Sequence, residues 1–327
     1  MKRKRKLRYS RIAGALLIFG ALVVGGIKGV ELLVGNAAML APPVPSAGVS
    51  HVPPLETPAT PSALATAQKI GALKLYSQNA LLMRMGDGAV LLEKDADERV
   101  YPASLTKIMT VLLALEQIEN TKETMIQLKE DIFEPLWQRG ASMAGYLPGE
   151  EVRAIDLLYG ALLPSGGECC VALAAYISGS QEAFVAKMND RAQELGLSNT
   201  HFTNSTGLHD EGHYSSARDM ARLLQQALSN DNFAEIFGAR KHVTPPTNLH
   251  PDGITVRSTF FAKLPENSDA IVGGKTGYTD DAGLCLASAA DIQGQRYLLV
   301  TLNAQGNAQT QQYHVIDAMN TYDRLIT

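Results

Sequence analysis

Cysteine is scarce in this chain, three residues in 327, which is too few for a domain stapled together by disulfides. Cys169 and Cys170 are neighbours in a helical run, where a bond between them would be strained, and Cys285 lies in an apolar strand. All three read as small buried hydrophobes, with a bridge from Cys285 to either neighbour as the alternative. No internal repeat is present, which sets aside repeat architectures. An excess of positive charge is also missing from most of the chain. The net charge is -4, yet seven cations (Lys2, Arg3, Lys4, Arg5, Lys6, Arg8, Arg11) stand before residue 12. The remainder carries 22 Lys and Arg against 33 Asp and Glu, a balance of -11. A folded body without a basic excess disfavours nucleic acid as a partner. What is plentiful is apolar surface, 46% of residues, enough to bury a core and to exclude wholesale disorder.

The cationic leader is followed by an uncharged stretch, Ile12 to Ile27, that continues past Lys28 and Glu31 to Val34. Basic residues ahead of an apolar run read as a signal anchor or secretory signal. Its 16 uncharged residues fall short of the ~20 a span prefers, but Lys28 can snorkel, so a span over about 12–34 is expected. An anchor is preferred to a cleaved signal, for which the small residues around Asn36-Ala37-Ala38 offer a cleavage region. The positive-inside rule then puts residues 1–11 in the cytoplasm and the rest outside. Residues 35–66 hold seven of the 15 prolines and form a semi-extended spacer. Length at about 150 residues per domain suggests two domains. This organisation leaves one, residues 67–327, with a charge near -10.

Within that body, Asn79–Met85 and Ala89–Leu92 flank Gly86-Asp87-Gly88 as a β-hairpin. Helical periodicity runs over Leu105–Ile118, with Ser104 at or near its start, then over Ile155–Leu163 and Glu168–Ile177, separated by Pro164-Ser165-Gly166-Gly167. Phe184–Leu195 is closed by Gly196, and Ser216 caps a helix to Leu228. Leu284–Ala290 and Arg296–Leu302 form a second hairpin about Gln293-Gly294, and residues 311–326 a last helix. Strands, then helices, then strands predict an α+β fold: an antiparallel sheet built from both ends of the domain with a helical region between. Strands and helices do not alternate, which disfavours a doubly wound parallel sheet.

Ser104-Leu105-Thr106-Lys107 places a lysine one helical turn from a serine. A desolvated, neutral lysine can take the hydroxyl proton and make the serine a nucleophile without histidine. Lys275-Thr276-Gly277, just before an apolar strand, offers a cation, a hydroxyl and a residue that lets a substrate backbone come close. Ser165-Gly166-Gly167 sits on the turn between two helices, where a hydroxyl can face the nucleophile. Each motif alone has an ordinary explanation: solvated helix surface, a turn entering a strand, a connector. Together and in this order, S-x-x-K, a serine turn and K-T-G form the signature of serine penicillin-recognising enzymes, whose full pattern is S-x-x-K, S-x-N, K-T-G. Over most of residues 75–305 the sequence resembles the low-molecular-weight D-alanyl-D-alanine carboxypeptidases. The blocks that carry the likeness are 101–110, Gly140-Ala141-Ser142-Met143-Ala144-Gly145, 156–160, 195–202, Thr206-Gly207-Leu208-His209, and 274–279 with Ala282-Gly283.

The resemblance implies a three-layer penicillin-binding-protein/β-lactamase-like fold, a sheet flanked by helices with a mostly helical subdomain beside it. It implies a serine peptidase that removes the terminal D-Ala from peptidoglycan stem peptides, with no cofactor and no metal. Ser104 would attack, Lys107 would be the base, and Ser165 would relay a proton. Lys275 and Thr276 would hold the substrate carboxylate, and the N–H groups of Ser104 and Tyr278 would form the oxyanion hole. β-Lactams would acylate Ser104. One departure stands out: Gly167 occupies the place where the family usually has Asn, so the amide that would contact substrate or Lys107 is absent, and Glu168 or water would fill the space. A second all-β domain, common in relatives, is not expected. Rival readings are a transpeptidase, a membrane-anchored penicillin-binding scaffold with weak chemistry, and a class A β-lactamase using Glu194. A zinc peptidase would need H-E-x-x-H, whereas His209-Asp210-Glu211-Gly212-His213 has its glutamate one place late. Arg257 is a candidate second cation for the carboxylate.

Overall fold

The computed structural model describes residues 73–266 and 268–326. The expected leader and anchor (1–34) and the spacer (35–66) lie outside them. The described elements run β1 (Ser77–Arg84), β2 (Val90–Lys94), a 3₁₀ turn (Ala103–Thr106), α1 (Lys107–Gln117), β3 (Met125–Gln127), α2 (Phe133–Gln138), β4 (Glu151–Arg153), α3 (Ala154–Leu162), α4 (Gly167–Ser178), α5 (Gln181–Glu194), α6 (Ala217–Leu228), α7 (Asp231–Gly238), β5 (Lys241–Val243), β6 (Thr255–Arg257), β7 (Ile271–Thr279), β8 (Gly283–Ile292), β9 (Gln295–Ala304) and α8 (Tyr313–Ile326). The main sheet is antiparallel, in the order β2-β1-β9-β8-β7. Both ends of the domain contribute to it, as the order of elements predicts.

Strand alternation builds the layers. Leu81, Met83, Leu298, Val300 and Leu302 face one core with Ile108, Leu112, Leu173, Met220 and Leu224 of the helical region. Their neighbours Leu82, Leu286 and Leu299 face a second core with Val315, Ala318 and Tyr322 of α8. A period of two thus serves both faces of one sheet, and the result is helices, sheet, helix. The Asp317 carboxylate accepts from the Tyr76 and Ser77 backbone N–H groups at 2.9 and 2.7 Å, fastening α8 to the start of β1. Ser216 caps α6 through the Asp219 N–H at 3.2 Å. Gln293 and Gly294 both adopt positive φ (51° and 77°), as a two-residue hairpin turn between right-twisted strands requires.

One strand departs from the sequence reading. Lys275-Thr276-Gly277 precedes the expected apolar strand, β8, but lies inside a further strand of its own, β7, the terminal strand of the sheet. Its run Ile271-Val272-Gly273-Gly274 carries too few side chains to read as apolar. The missing bulk comes from neighbours: a Cβ on Gly273 or Gly274 would fall 2.4 Å from the Phe237 ring and 2.3 Å from the Phe260 ring. Helices α2 and α7 and the two-stranded pairs β3–β4 and β5–β6 also lie outside the sequence reading. Among the described residues no single helix is long and apolar enough to cross a membrane.

Candidate active site

Ser104 lies in the 3₁₀ turn that leads directly into α1, whose first residue is Lys107. Three residues of tight helix bring Lys107 Nζ to 2.9 Å from Ser104 Oγ. The same Nζ donates to the Thr206 carbonyl at 2.6 Å. Lys107 is buried (3% exposed), and loss of solvation pushes its amine below the ordinary lysine range, against the opposing pull of Cys170, Glu168 and Cys169. A lysine so held spends more time neutral and able to accept the Ser104 proton.

The turn itself is braced from two sides. Ala103, just before Ser104, has a φ of +48°, costly for a residue with a side chain. Its carbonyl accepts from Thr106 Oγ1 at 2.9 Å. Gly207 presses on the same carbonyl so closely that a Cβ there would sit 1.9 Å from Ala103 O. On the other side, a Cβ on Gly277 would be 3.1 Å from both Pro102 O and Ser104 N. What comes close to Gly277 is therefore the nucleophile turn of the chain itself.

Ser165, at a φ of +72°, connects α3 to α4, and its Oγ accepts from Lys275 Nζ at 3.0 Å. Lys275 also donates to the Thr276 carbonyl at 2.7 Å and is 1% exposed. Burial holds its amine well below the usual range, and the nearby Lys107 charge adds to the effect. An arriving carboxylate reverses that balance, because an opposite charge within reach favours the ammonium. Thr276 Oγ1 lies 2.9 Å from Thr259 Oγ1.

A cavity of about 440 Å³ opens over Ser104 and Lys107, walled by Gly140, Ser142, Gly167, Gly207 and Tyr278. Ser165, Lys275 and Thr276 are not part of that lining, but each lies within three residues along the chain of Gly167 or Tyr278, which are. At the mouth, Arg139 donates to the His209 carbonyl at 2.7 Å and His209 Nδ1 is 3.4 Å from Asp281. The Tyr278 hydroxyl donates to Asp280, which raises the phenol's pKa.

Gly167 opens α4, and its N–H donates to Ser142 O at 2.7 Å. A Cβ there would touch Ala141 Cβ and Leu136 Cδ2 at 3.3 Å, so the wall closes onto the glycine. Glu168 is fully buried, and its Oε1 accepts from the Ala144 and Gly145 N–H groups at 2.6 and 3.0 Å, tying down the 142–145 wall, while its charge also acts on Lys107. Glu194 pairs with Arg191 at 2.9 Å on the exposed end of α5 and is not part of the cavity wall. Arg257 is exposed on β6 and also stands apart from it. The 209–213 loop packs against the site, with His209 at the mouth and His213 buried beneath. All three cysteines are free and buried.

Sequence reasoning missed Asn204 and Thr259. Asn204 Oδ1 accepts from Thr206 N, Thr206 Oγ1 and Gly207 N at 3.1, 2.9 and 2.8 Å, shaping the loop whose carbonyl holds Lys107. An asparagine two residues before Thr206-Gly207 was the only local signal.

The sequence profile of the D-alanyl-D-alanine carboxypeptidase family (peptidase S11) matches residues 64–306. The chain is 37% identical over 246 residues to D-alanyl-D-alanine carboxypeptidase DacF of Bacillus subtilis, covering 75% of this chain and 62% of that one. It is 35% identical over 252 residues to DacC of Escherichia coli, covering 75% and 61%. It thus spans about three fifths of the length of these curated relatives. Identity to the D-alanyl-D-alanine carboxypeptidase of Streptomyces strain K15 is 30% over 270 residues, 80% of this chain and 90% of that one. Among solved structures, the Streptomyces K15 DD-transpeptidase superposes with a TM-score of 0.70 at 26% identity, over 77% of this chain and 97% of that one. The D-alanyl-D-alanine carboxypeptidase of Mycobacterium tuberculosis gives 0.68 at 26%, over 79% and 94%.

Proposed function

Because the chain belongs to the D-alanyl-D-alanine carboxypeptidase family, we propose that it removes the terminal D-Ala from peptidoglycan stem peptides through an acyl-enzyme on Ser104. The observation that carries this reading is the 2.9 Å approach of a buried lysine amine to Ser104 Oγ, beside a second buried lysine on a terminal strand. In the first half-reaction Ser104 Oγ bonds to the carbonyl carbon of the penultimate D-Ala while its proton passes to Lys107 Nζ. The N–H groups of Ser104 and Tyr278 receive the oxyanion, each donor being worth about 3–4 kcal/mol in such sites. The carbon–nitrogen bond then breaks, and the proton from Lys107 reaches the departing amine by way of the Ser165 hydroxyl. Lys275 and Thr276 hold the terminal carboxylate. In the second half-reaction water gives a proton to Lys107 and its oxygen to the acyl carbon, and Ser104 recovers its hydrogen. A β-lactam ring presents the same carbonyl next to the same carboxylate, so penicillins acylate Ser104.

The basic leader and apolar stretch at 1–34 and the spacer at 35–66 support the reading of a domain held outside the membrane and tethered to it, within reach of the wall. Product analysis on a D-Ala-D-Ala-terminated peptide, with and without penicillin, tests the activity. Release of D-Ala that penicillin blocks and Ser104→Ala abolishes is the expected result. Penicillin labelling without D-Ala release would make the chain a binding scaffold, and transfer of the acyl group to an added amine in preference to water would make it a transpeptidase. Alkaline carbonate extraction of membranes tests the tether: recovery of the full chain in the soluble fraction refutes it.

A further inference from the structure

His213 is 2% exposed and sits under the nucleophile turn without touching the cavity. Its two ring nitrogens face different partners. Nδ1 accepts the Thr203 backbone N–H at 3.1 Å, and a backbone N–H can only donate. The imidazole proton therefore rests on Nε2, which is 2.7 Å from Thr106 Oγ1 and donates to it. That fixes the direction of the next bond, since the Thr106 hydroxyl must then give its own hydrogen to Ala103 O at 2.9 Å. The relay ends on the strained residue that precedes Ser104. A protonated ring would set two N–H donors nose to nose at Nδ1, and burial agrees with the neutral form by pushing the imidazole down to about 4. From the Thr203 side the chain continues through Asn204 to Thr206, whose carbonyl holds Lys107.

We propose that His213, as the neutral Nε2–H tautomer, is a positioning residue for acylation: it locks the turn that carries Ser104 to the 203–207 loop that holds Lys107. The inference rests on Ser104 being the nucleophile and Lys107 its base. Those two residues sit on adjoining turns of one element, but their partners come from a loop about a hundred residues later. His213 joins Thr106 of the turn to Thr203 of the loop, beside the ties made by Lys107 and by Thr110 Oγ1 to the Ser205 carbonyl at 2.7 Å. Without it, the Thr106 hydroxyl keeps the Ala103 carbonyl as acceptor but loses its own donor, and the tie from that turn to Thr203 is gone.

The test is stopped-flow acylation of the full chain by a fluorescent penicillin, separating the acylation rate constant from the pre-acylation binding constant. His213→Leu and Thr106→Val each remove the bridge from one end. Each is expected to slow acylation about 10- to 100-fold, as sub-ångström misplacement of reacting groups does, with binding unchanged and complete labelling at long times. The double variant is expected to be no slower than the slower single, because both cut one chain of bonds. His213→Gln, which can still accept from Thr203 and donate to Thr106, is expected to recover part of the rate. A folded His213→Leu that acylates at the native rate overturns the proposal, as do additive losses in the double variant. So does a loss that appears only as a smaller labelled fraction, the sign of a purely structural role. If His213→Leu fails to fold, Thr106→Val decides alone: a native rate there overturns the proposal. Ser104→Ala serves as the separate control. Labelling of that variant breaks the serine reading itself, whatever His213 does.

Discussion

Gly277→Ala is a small change with a calculable consequence. The added methyl would stand 3.1 Å from Pro102 O and from Ser104 N and 3.2 Å from Ala103 Cβ, where ordinary contact begins at 3.4 Å. Either β7 or the nucleophile turn must yield by a few tenths of an ångström. The turn has no slack behind it, because Gly207 already lies against the Ala103 carbonyl and Thr106 holds the same oxygen. β7 is paired with β8 from Ile271 to Thr279. Overpacking of this kind costs about 1–3 kcal/mol, and in a domain of this size that lowers Tm by about 3–10 °C. The larger effect falls on chemistry, since the atom displaced is the Ser104 N–H, one of the two proposed oxyanion donors. Losing one such donor outright costs about 10²- to 10³-fold, so a partial displacement should slow acylation about 10- to 100-fold. Fluorescent-penicillin kinetics and a thermal melt on the same preparation measure both. Gly86→Ala, where a Cβ meets nothing within 4 Å, is the control and should change neither. A Gly277→Ala variant with native Tm and native acylation refutes the account of why glycine stands there.

Glu168→Ala should destabilise by about 2–4 kcal/mol in urea melts, because the Ala144 and Gly145 N–H groups lose their acceptor. Glu168→Gln keeps an acceptor and should cost about 1 kcal/mol or less. Acylation should rise with pH and level off, since the neutral amine of Lys107 is the active form and burial lowers its pKa. A rate that falls as pH rises through that range refutes Lys107 as base, and Lys107→Arg, a cation that does not deprotonate, should not acylate. Stability should decline as pH falls from about 6.5 toward 3. Both nitrogens of buried His314 lack partners among the described residues, and burial pushes its imidazole down to about 3. The unfolded chain takes up that proton first, so the stability present above 6.5 is lost on acidification. His314→Phe should flatten part of the slope, and an unchanged slope counts against it.

The legible parts of the chain were those whose chemistry is local. Ser104 and Lys107 are one turn apart, so helical spacing alone brings them together. The two hairpins β1–β2 and β8–β9 and most of the helices announce themselves by periodicity and by turn and cap residues such as Ser216 and Gln293-Gly294. β7 did not, because its glycines are filled by Phe237 and Phe260 from elsewhere, and no window of sequence records a borrowed side chain. The pairing of Lys275 with Ser165 spans 110 positions. That of Lys107 with Thr206 spans 99. The bonds of Glu168 were hidden for a related reason: its partners are backbone N–H groups of a loop, which any sequence supplies and none marks.

The sheet stops at β7, and among the described residues no further strand pairs with that edge. In the proposed reaction the substrate supplies it, as an extended peptide laid along β7. Lys275 then acts as a measuring stop. Its amine is held by Ser165 Oγ and the Thr276 carbonyl of its own strand, and in the proposed reaction it meets the terminal carboxylate. A chain that ends in a carboxylate one residue past the attacked carbonyl would satisfy it, whereas a longer peptide would bring a neutral amide there. The enzyme would therefore recognise the terminus of its substrate by its charge, and internal bonds of the same wall peptides would stay uncut.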